Sequence, residues 1–211
     1  MCLYKMKNLR FRNKYRIPST RLPNWDYSSA GWYYVTICTK RRVCYFGEII
    51  NRKKYLSQIG KLVEQEWLKT QVIRSNVKLD EFTIMPNHIH GIIVIKYTVE
   101  THNSHASLQK HSHASLQKHS HASLQKHSHA SLEFNKFGPQ THNLAAIIRG
   151  FKSSTSSQIR RSGLKNFSWQ SRFYDHIIRS EQSLFKIREY ISNNHLNWDT
   201  DEENPKKYQA P

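Results

Sequence analysis

The stretch LDEFTIMPNHIHGIIVI at Leu79–Ile95 constrains the fold of this 211-residue chain more than any other part of the sequence. Residues 77–85 and 88–97 are rich in β-branched and apolar side chains, which is typical of strands. The two runs are separated by Pro86 and Asn87, which indicates a tight connection. The apolar run in the second strand predicts that it lies inside a sheet. We therefore expect a β-hairpin at the centre of the fold.

The other periodic segments place helices and strands around this hairpin. In chain order, the pattern predicts a strand at Trp32–Thr39, an amphipathic helix at Ser57–Thr70, a helix from Asn143 to about Arg161 with Asn143 as its N-cap, a short strand near Phe167–Gln170 and a last helix at Ser180–Asn194. The order β-α-β-β-α-β-α is typical of the ferredoxin-like fold. We predict an α+β chain with a ferredoxin-like (RRM-like) antiparallel sheet, helices on one face, and a C-terminal helix after the βαββαβ core.

An internal repeat interrupts this pattern between the hairpin and the second helix. The octamer SHASLQKH occurs three times from Ser104 and then degrades to SHASLEFN. Each copy carries one large apolar residue, so the repeat cannot bury enough surface to offset the entropy of ordering it. We predict a flexible insertion at 101–136 and prefer this interpretation to a His-rich metal-binding tract.

The charge of the chain favours a polyanionic partner. Lys and Arg number 33 against 15 Asp and Glu, giving a net charge of +18 and a pI near 10.0. Residues 1–25 and 134–174 each contain seven basic residues and no acidic one. This clustering favours nucleic acid over a generic basic surface. No apolar run is long enough to span a membrane, so no membrane partner is expected.

The cysteines and the N-terminus bear on location. Cys2, Cys38 and Cys44 are odd in number and lack metal-type spacing, so they are interpreted as free thiols in a reducing compartment. The N-terminus has charge but no apolar segment typical of a secretory signal. We therefore predict a cytoplasmic protein.

His88 and His90 are candidate metal ligands. Residues i and i+2 of a strand point to the same side, so both imidazoles can reach one divalent ion. The pattern His-x-His is common, however, and on this evidence alone a structural or surface pair of histidines is the favoured interpretation.

Tyr190 and Asn194 lie one turn apart on the last predicted helix. A tyrosine hydroxyl can attack phosphorus once its proton is removed, and an asparagine oxygen can serve as a neutral metal ligand. On this helix alone, the favoured interpretation is that Tyr190 is an aromatic residue at the edge of the core and Asn194 an ordinary helix-end residue.

Taken together, several stretches resemble the REP-associated tyrosine transposases, which belong with the insertion-sequence-200-like transposases to the HUH superfamily of single-strand DNA endonucleases. The matching stretches are YYVTICTKRR at 33–42, the hairpin at 79–95, LAAIIRGFKSS at 144–154, WQSRFYDHIIRSEQSL at 169–184 and IREYISNN at 187–194. Two departures are the repeat and His195, which stands where the family pattern leads us to expect proline.

This resemblance implies a function and a set of residues. His88 and His90 would bind Mg²⁺ or Mn²⁺ with Asn194 as third ligand, and Tyr190 would form a 5′-phosphotyrosine with single-stranded DNA carrying a hairpin. Residues 29–199 would form the transposase domain, between a basic extension at 1–28 and a polar tail at 200–211. Relatives act as monomers or as homodimers, and the sequence does not decide between them.

Basic residues near the end of the chain are candidates for DNA contacts. They are Arg149, Lys152, Arg160, Arg161, Arg172 and Arg179. Tyr174 is a rival nucleophile, but its neighbours Asp175 and His176 would point to opposite faces of a strand, which makes a local triad awkward.

Three other functions remain open from the sequence. They are a non-catalytic RRM-like nucleic-acid-binding module, an inactive relic of a transposase, and a metallohydrolase that uses His-x-His to activate water.

Overall fold

The computed structural model describes residues 10–11, 14–15, 21–22, 25–97 and 143–208. The predicted repeat insertion at 101–136 and most of the predicted N-terminal extension lie outside these residues. None of the described helices is long and apolar enough to cross a membrane.

A four-stranded antiparallel sheet forms the centre of the fold. Its strands are β3 (Gly31–Cys38), β6 (Val77–Ile84), β7 (His88–Ile95) and β8 (Tyr174–Ile178), arranged in the order β6-β7-β3-β8. Four short strands pair outside it: β1 (Arg10–Phe11) with β2 (Lys14–Tyr15), and β4 (Gly47–Ile50) with β5 (Lys53–Leu56). The predicted hairpin strand β7 lies inside the sheet, and the ferredoxin-like arrangement is confirmed.

Three helices complete the core, and each begins at a side-chain cap. They are α1 (Gln58–Val72), α2 (Leu144–Arg161) and α3 (Glu181–Asn193). Ser57, Asn143 and Ser180 each accept a hydrogen bond from the backbone N–H three residues later. Such caps satisfy donors that have no partner inside the helix, which sets where each helix starts.

One face of the sheet carries α1, α2 and most of the hydrophobic core. The main buried side chains there are Tyr33, Val35, Ile37, Val63, Trp67, Ile89, Ile93, Ile147 and Phe151. Gly91 of β7 also faces this side, and a Cβ atom there would lie 2.6 Å from the indole of Trp67. Glycine is therefore required at position 91, where Trp67 of α1 packs against strand β7.

The opposite face of the sheet is covered by α3. Ile92, Ile178 and Ile191 form a small buried cluster there, against which Leu184 and Ile187 of α3 pack. Because side chains alternate along β7, His88 and His90 point to the same side as Ile92. The fold thus places both histidines beneath the last helix.

The predicted strand near Phe167–Gln170 is wrong, and the fourth strand is Tyr174–Ile178 instead. In the predicted stretch, Trp169 makes an isolated bridge to Thr39. Phe167 and Trp169 are buried and pack on each other with ring centroids 5.3 Å apart. Their large side chains fill the core beside the sheet, so the backbone touches the end of β3 without running along it.

A bidentate ion pair fastens α3 to strand β6. Arg188 Nε and Nη2 donate to the two carboxylate oxygens of Asp80 at 2.7 and 2.8 Å. Hydrogen bonds from Arg188 hold the pKa of Asp80 below its ordinary value. The carboxylate therefore stabilises the fold fully above the unfolded-state pKa of about 4, and this stabilisation is lost as the pH falls through the folded-state pKa.

We predict that Asp80→Asn lowers the free energy of unfolding by about 1 kcal/mol at neutral pH, because it breaks this pair. The difference from the unmodified protein should shrink as the pH falls through the folded-state pKa of Asp80. Urea unfolding at several pH values measures both effects. Asp199→Asn, at an exposed acid, is the control, and an equal loss in both variants would contradict the role of the pair.

Candidate metal and nucleophile site

His88 and His90 converge on one point beneath α3. Their Nε2 atoms are 2.9 Å apart, and the two side chains are almost fully buried, with exposed fractions of 0% and 3%. Strand β7 is held in place by β3, which pairs Thr36 with His90 and Cys38 with His88. The convergence predicted from strand alternation is therefore present in the structure.

Asn87 determines which nitrogen of His88 faces the site. Its Nδ2 donates to the carbonyl oxygens of Arg42 and Glu203 at 2.9 and 2.7 Å, which identifies the other amide atom as the oxygen. That oxygen lies 2.8 Å from His88 Nδ1 and can accept only if Nδ1 carries the proton. The lone pair of His88 is thus on Nε2, the atom that faces His90.

His90 is oriented by two hydroxyl groups on strand β3. Its Nδ1 lies 2.8 Å from the hydroxyl of Tyr34 and 3.0 Å from that of Thr36. Either oxygen can accept from Nδ1–H, an arrangement that leaves Nε2 free to bind a ligand.

Both imidazoles are held in the neutral form. Burial lowers the pKa of His88 well below its ordinary value, and the neighbouring His90 and Arg42 act in the same direction. Burial lowers the pKa of His90 to about 3. Neutral imidazole is the form that ligates metals, so the pair is ready to bind a cation at pH 7.

Two oxygen-bearing side chains stand next to the histidines. Asp201 Oδ2 is 3.9 Å from His88 Nε2, and the ligand atoms of His88, His90 and Asp201 all lie within 4.8 Å of one another. Asn194 is buried, and its Oδ1 has no hydrogen-bond partner among the described residues. The burial of an unpaired oxygen is costly unless a cation or water satisfies it.

The donor set fits a divalent metal ion. Neighbouring ligands of an octahedral Mg²⁺, each about 2.1 Å from the ion, lie about 3 Å apart. The 2.9 Å separation of the two Nε2 atoms is close to that spacing. The two neutral nitrogens and the carboxylate of Asp201 therefore offer ligand atoms that could hold one such ion.

Asp201 was not found by the sequence analysis, which assigned it to a polar tail. A 3₁₀ helix over Asn194–Thr200 follows α3 directly and carries Asp201 back to the histidines. The acidic stretch DTDEE at 199–203 is the one signal in the sequence that could have pointed to it.

Tyr190 lies at the open side of this site. Its ring centroid is 5.3 Å from that of His90 and 6.3 Å from that of Tyr34, and its side chain is 47% exposed. Burial and the carboxylate of Asp201 raise the pKa of the phenol, whereas hydrogen bonds with Asn194 and Tyr34 lower it. The structure thus brings Tyr190, both histidines and Asn194 together within one chain.

Tyr174, the rival nucleophile, lies on β8. It packs against Tyr34 at a centroid distance of 6.1 Å. Asp175 is buried and lies 3.8 Å from Arg21 Nε, while His176 is exposed. Asp175 and His176 therefore occupy different environments, as strand alternation predicts, and do not form an acid–base pair.

The basic residues predicted to contact DNA occupy several places. Five are exposed, namely Arg149, Arg160, Arg161, Arg172 and Arg179. Lys152 donates from Nζ to the carbonyls of Gln170 and Arg172 at 2.8 and 2.9 Å, and burial lowers its pKa to about 8. The guanidinium of Arg179 lies 5.3 Å from the ring centroid of Trp25. Contact of these six residues with DNA stays a prediction.

We predict that Asn87→Ala weakens divalent-metal binding by about 10- to 100-fold, because it removes the acceptor that orients His88. Nitrogen-15 NMR of the imidazoles should show His88 shifting from the Nδ1–H tautomer to a mixture. Asn143→Ala is the control, since Asn143 is also a buried amide but caps α2 on the other side of the sheet, away from the histidines. An unchanged His88 tautomer in Asn87→Ala would refute this role.

Comparison with known proteins gives one relative and one solved structure of interest. An uncharacterised protein of Haemophilus influenzae is 35% identical over 184 residues, which cover 87% of this chain and 91% of that protein. The structure of a REP-associated tyrosine transposase bound to a REP hairpin matches 86% of this chain and 74% of its own, with a TM-score of 0.51 and 15% identity. At this identity the likeness concerns the fold. No family model matches the chain.

Proposed function

We propose that this chain, which belongs to one family with the uncharacterised Haemophilus influenzae protein and shares its fold with a REP-associated tyrosine transposase, is itself a DNA transposase. It cleaves and rejoins single-stranded DNA next to a hairpin through a covalent bond to Tyr190. One observation carries this proposal: the Tyr190 ring packs against His90, which adjoins His88, and both histidines of the same chain are buried and neutral.

Tyr190 acts as the nucleophile in this proposal. The phenol loses its proton, its oxygen bonds to the scissile phosphorus, and the bond from phosphorus to the 3′ oxygen breaks. The leaving oxygen takes up a proton and becomes a 3′-hydroxyl, while the 5′ side stays on Tyr190 as a phosphotyrosine. Attack by a second 3′-hydroxyl reverses the step and joins strands without an external energy source, because a phosphodiester is exchanged for a phosphodiester.

His88, His90 and Asn194 would hold a Mg²⁺ or Mn²⁺ ion, and Asp201 is a further candidate ligand. When bound, such an ion supplies positive charge that polarises a phosphate and stabilises the charge developing on it. Asn194 has a second role: burial raises the pKa of both Tyr190 and Asp201, and hydrogen bonds with Asn194 act against that rise. It thereby favours the ionised form of the nucleophile.

The proposed active site is complete within a single chain. Tyr190 reaches His90 of its own chain, and α3 is tied to the same sheet through Arg188 and Asp80. This arrangement supports catalysis by a monomer without an exchange of tyrosine helices between subunits.

A non-catalytic RRM-like module is supported less well by the geometry. Such modules stack bases on aromatic side chains of an open sheet face. Here α3 covers that face and packs on Ile92 and Ile178. Its most central polar groups are buried histidines, not exposed aromatic rings.

The test uses single-stranded oligonucleotides that carry a hairpin and a flanking tail, labelled at either end, with Mn²⁺ or EDTA. We expect a covalent protein–DNA adduct that depends on Mn²⁺, retains the 3′-end label and maps by peptide mass spectrometry to Tyr190. Binding of the oligonucleotide without any adduct would favour a non-catalytic binder, and free 5′-phosphate ends without an adduct would favour a metallohydrolase. An adduct on Tyr174 would reject the assignment of the nucleophile.

A further inference from the structure

We propose that a groove lined by residues 40–42 binds the phosphate backbone of the DNA whose strand enters the site. This inference rests on the proposed function and extends it to how the substrate is held. The basic groove is defined by six residues: Lys40, Arg41, Arg42, Lys152, Arg160 and Arg161.

Two adjoining cavities make up the basic groove. One has a volume of about 710 Å³ and lies beside α2, where Lys152, Arg160 and Arg161 line it. The other has a volume of about 800 Å³ and is lined by the loop Lys40–Arg42. Both share the segment Ser168–Ser171 as a wall, so they form one continuous depression.

The lining of the basic groove matches a phosphate backbone. Among the described lining residues the acidic one is Glu203, and its carboxylate is paired with Arg42 Nε at 2.7 Å. Helix α2 contributes serine hydroxyls at Ser153, Ser156 and Ser157 beside its basic residues. Arginine, lysine and hydroxyl side chains are the groups that proteins most often place against DNA phosphates.

The loop at the end of the basic groove has an uncommon backbone. Arg41 and Arg42 have φ angles of 59° and 56°, in the left-handed region that non-glycine residues rarely occupy. Two such residues in succession are costly, and backbone conformations of this kind occur preferentially at functional sites. The bonds of Arg42 to Glu203 and Asn87 hold the loop in this conformation.

Asn87 links the basic groove to the histidines. The same amide that orients His88 Nδ1 donates to the carbonyl of Arg42, a residue that lines the groove. A single side chain, that of Asn87, therefore contacts both the basic groove and the histidine site. Lys152 contributes differently, because its two bonds to the carbonyls of Gln170 and Arg172 hold the shared wall against α2.

The test compares two double variants that remove the same charge from the full-length protein. Arg41→Ala/Arg161→Ala removes two cations of the basic groove, and Lys61→Ala/Lys78→Ala removes two exposed cations on α1 and β6. Binding is measured in EDTA, which prevents metal-dependent cleavage, at several salt concentrations. One probe is a thymidine 20-mer without a hairpin and the other is a closed DNA hairpin without a tail.

We expect the groove variant to bind on the order of 10-fold more weakly at about 100 mM salt, with the control nearly unchanged. The slope of log affinity against log salt should become shallower by about 1.4 on the single strand, or by about 1.8 on the hairpin stem. If the loss of affinity appears with the thymidine 20-mer, the groove binds the single strand, and if it appears with the closed hairpin, the groove binds the duplex stem. Arg161→Ala alone should give half the change in the salt slope. Because Arg161 is at an exposed helical position, this single variant shows whether the effect of the double variant comes from lost charge or from an altered loop conformation at Arg41.

Equal slopes and affinities for the groove and control variants on both probes would overturn the proposal. The adduct assay keeps this outcome separate from the proposed function. If the adduct on Tyr190 forms but groove variants bind like the control, the groove assignment fails alone. If groove variants lose binding but no adduct ever forms, the groove stands and the proposed transposase activity fails.

Discussion

Replacing Tyr190 by phenylalanine should abolish the covalent adduct and reduce strand cleavage by on the order of 10³-fold or more, since the substitution removes the attacking oxygen. The ring remains, and with it the packing on His90 at 5.3 Å and on Tyr34 at 6.3 Å. We therefore expect the free energy of unfolding to change by less than about 1 kcal/mol. Binding of the oligonucleotide in EDTA should be nearly unchanged.

Tyr174→Phe is a closely matched control for this experiment. Tyr174 is 50% exposed and Tyr190 is 47% exposed, and both rings pack on Tyr34. Loss of a hydroxyl from Tyr174 should leave adduct formation within a few-fold of the unmodified protein. An adduct that persists in Tyr190→Phe and disappears in Tyr174→Phe would exchange the roles of the two residues.

The parts of this site that were predictable are those governed by local periodicity. A two-residue repeat along one strand is enough to place His88 and His90 on one side, and a four-residue spacing is enough to place Asn194 beneath Tyr190. That the strand and the helix meet on the same face came from the resemblance to a family. Spacing alone left both pairs open to a structural interpretation.

Asp201 could not be predicted, for a physical reason. Its position depends on a 3₁₀ helix that follows α3 and turns the chain back, with Trp198 buried and Asn204 bonded to the Trp198 carbonyl. These are long-range packing events that leave no periodic pattern in the sequence. The strand predicted at Phe167 and Trp169 was wrong for a related reason. Strand propensity largely reflects side-chain burial, and these two aromatic residues are buried although they do not lie in a strand.

Lys152 shows the limit of arguing from charge. Its place in a basic cluster predicts a DNA contact, yet two backbone carbonyls already accept from its ammonium group and burial lowers its pKa to about 8. A count of formal charges does not show whether the hydrogen-bond donors of a cation are already occupied by groups of the protein itself. Arg161, on the exposed side of the same helix, is the better choice for a binding experiment.

Substitution of His90 should have the second large effect, a loss of divalent-metal binding by at least about 100-fold together with loss of adduct formation. A metal held by two imidazoles loses half of its nitrogen ligands, and the remaining His88 cannot chelate alone. Mn²⁺ binding followed by electron paramagnetic resonance measures this directly, without any catalytic readout. Because His90 is buried against Tyr34 and Thr36, both His90→Ala and His90→Leu are needed, with leucine filling more of the vacated space without offering a ligand atom.

His176→Ala is the control, since this histidine is exposed on strand β8 and pairs in register with Tyr34 of the neighbouring strand. The same Mn²⁺ titration on Asn194→Ala and Asp201→Ala separates the two candidate oxygen ligands, because loss of a true ligand lowers affinity whereas loss of a bystander does not. A carboxylate ligand would give the larger change, since it also neutralises the charge of the ion. Full Mn²⁺ affinity in folded His90→Leu would place the metal elsewhere and leave the buried histidine pair a structural feature.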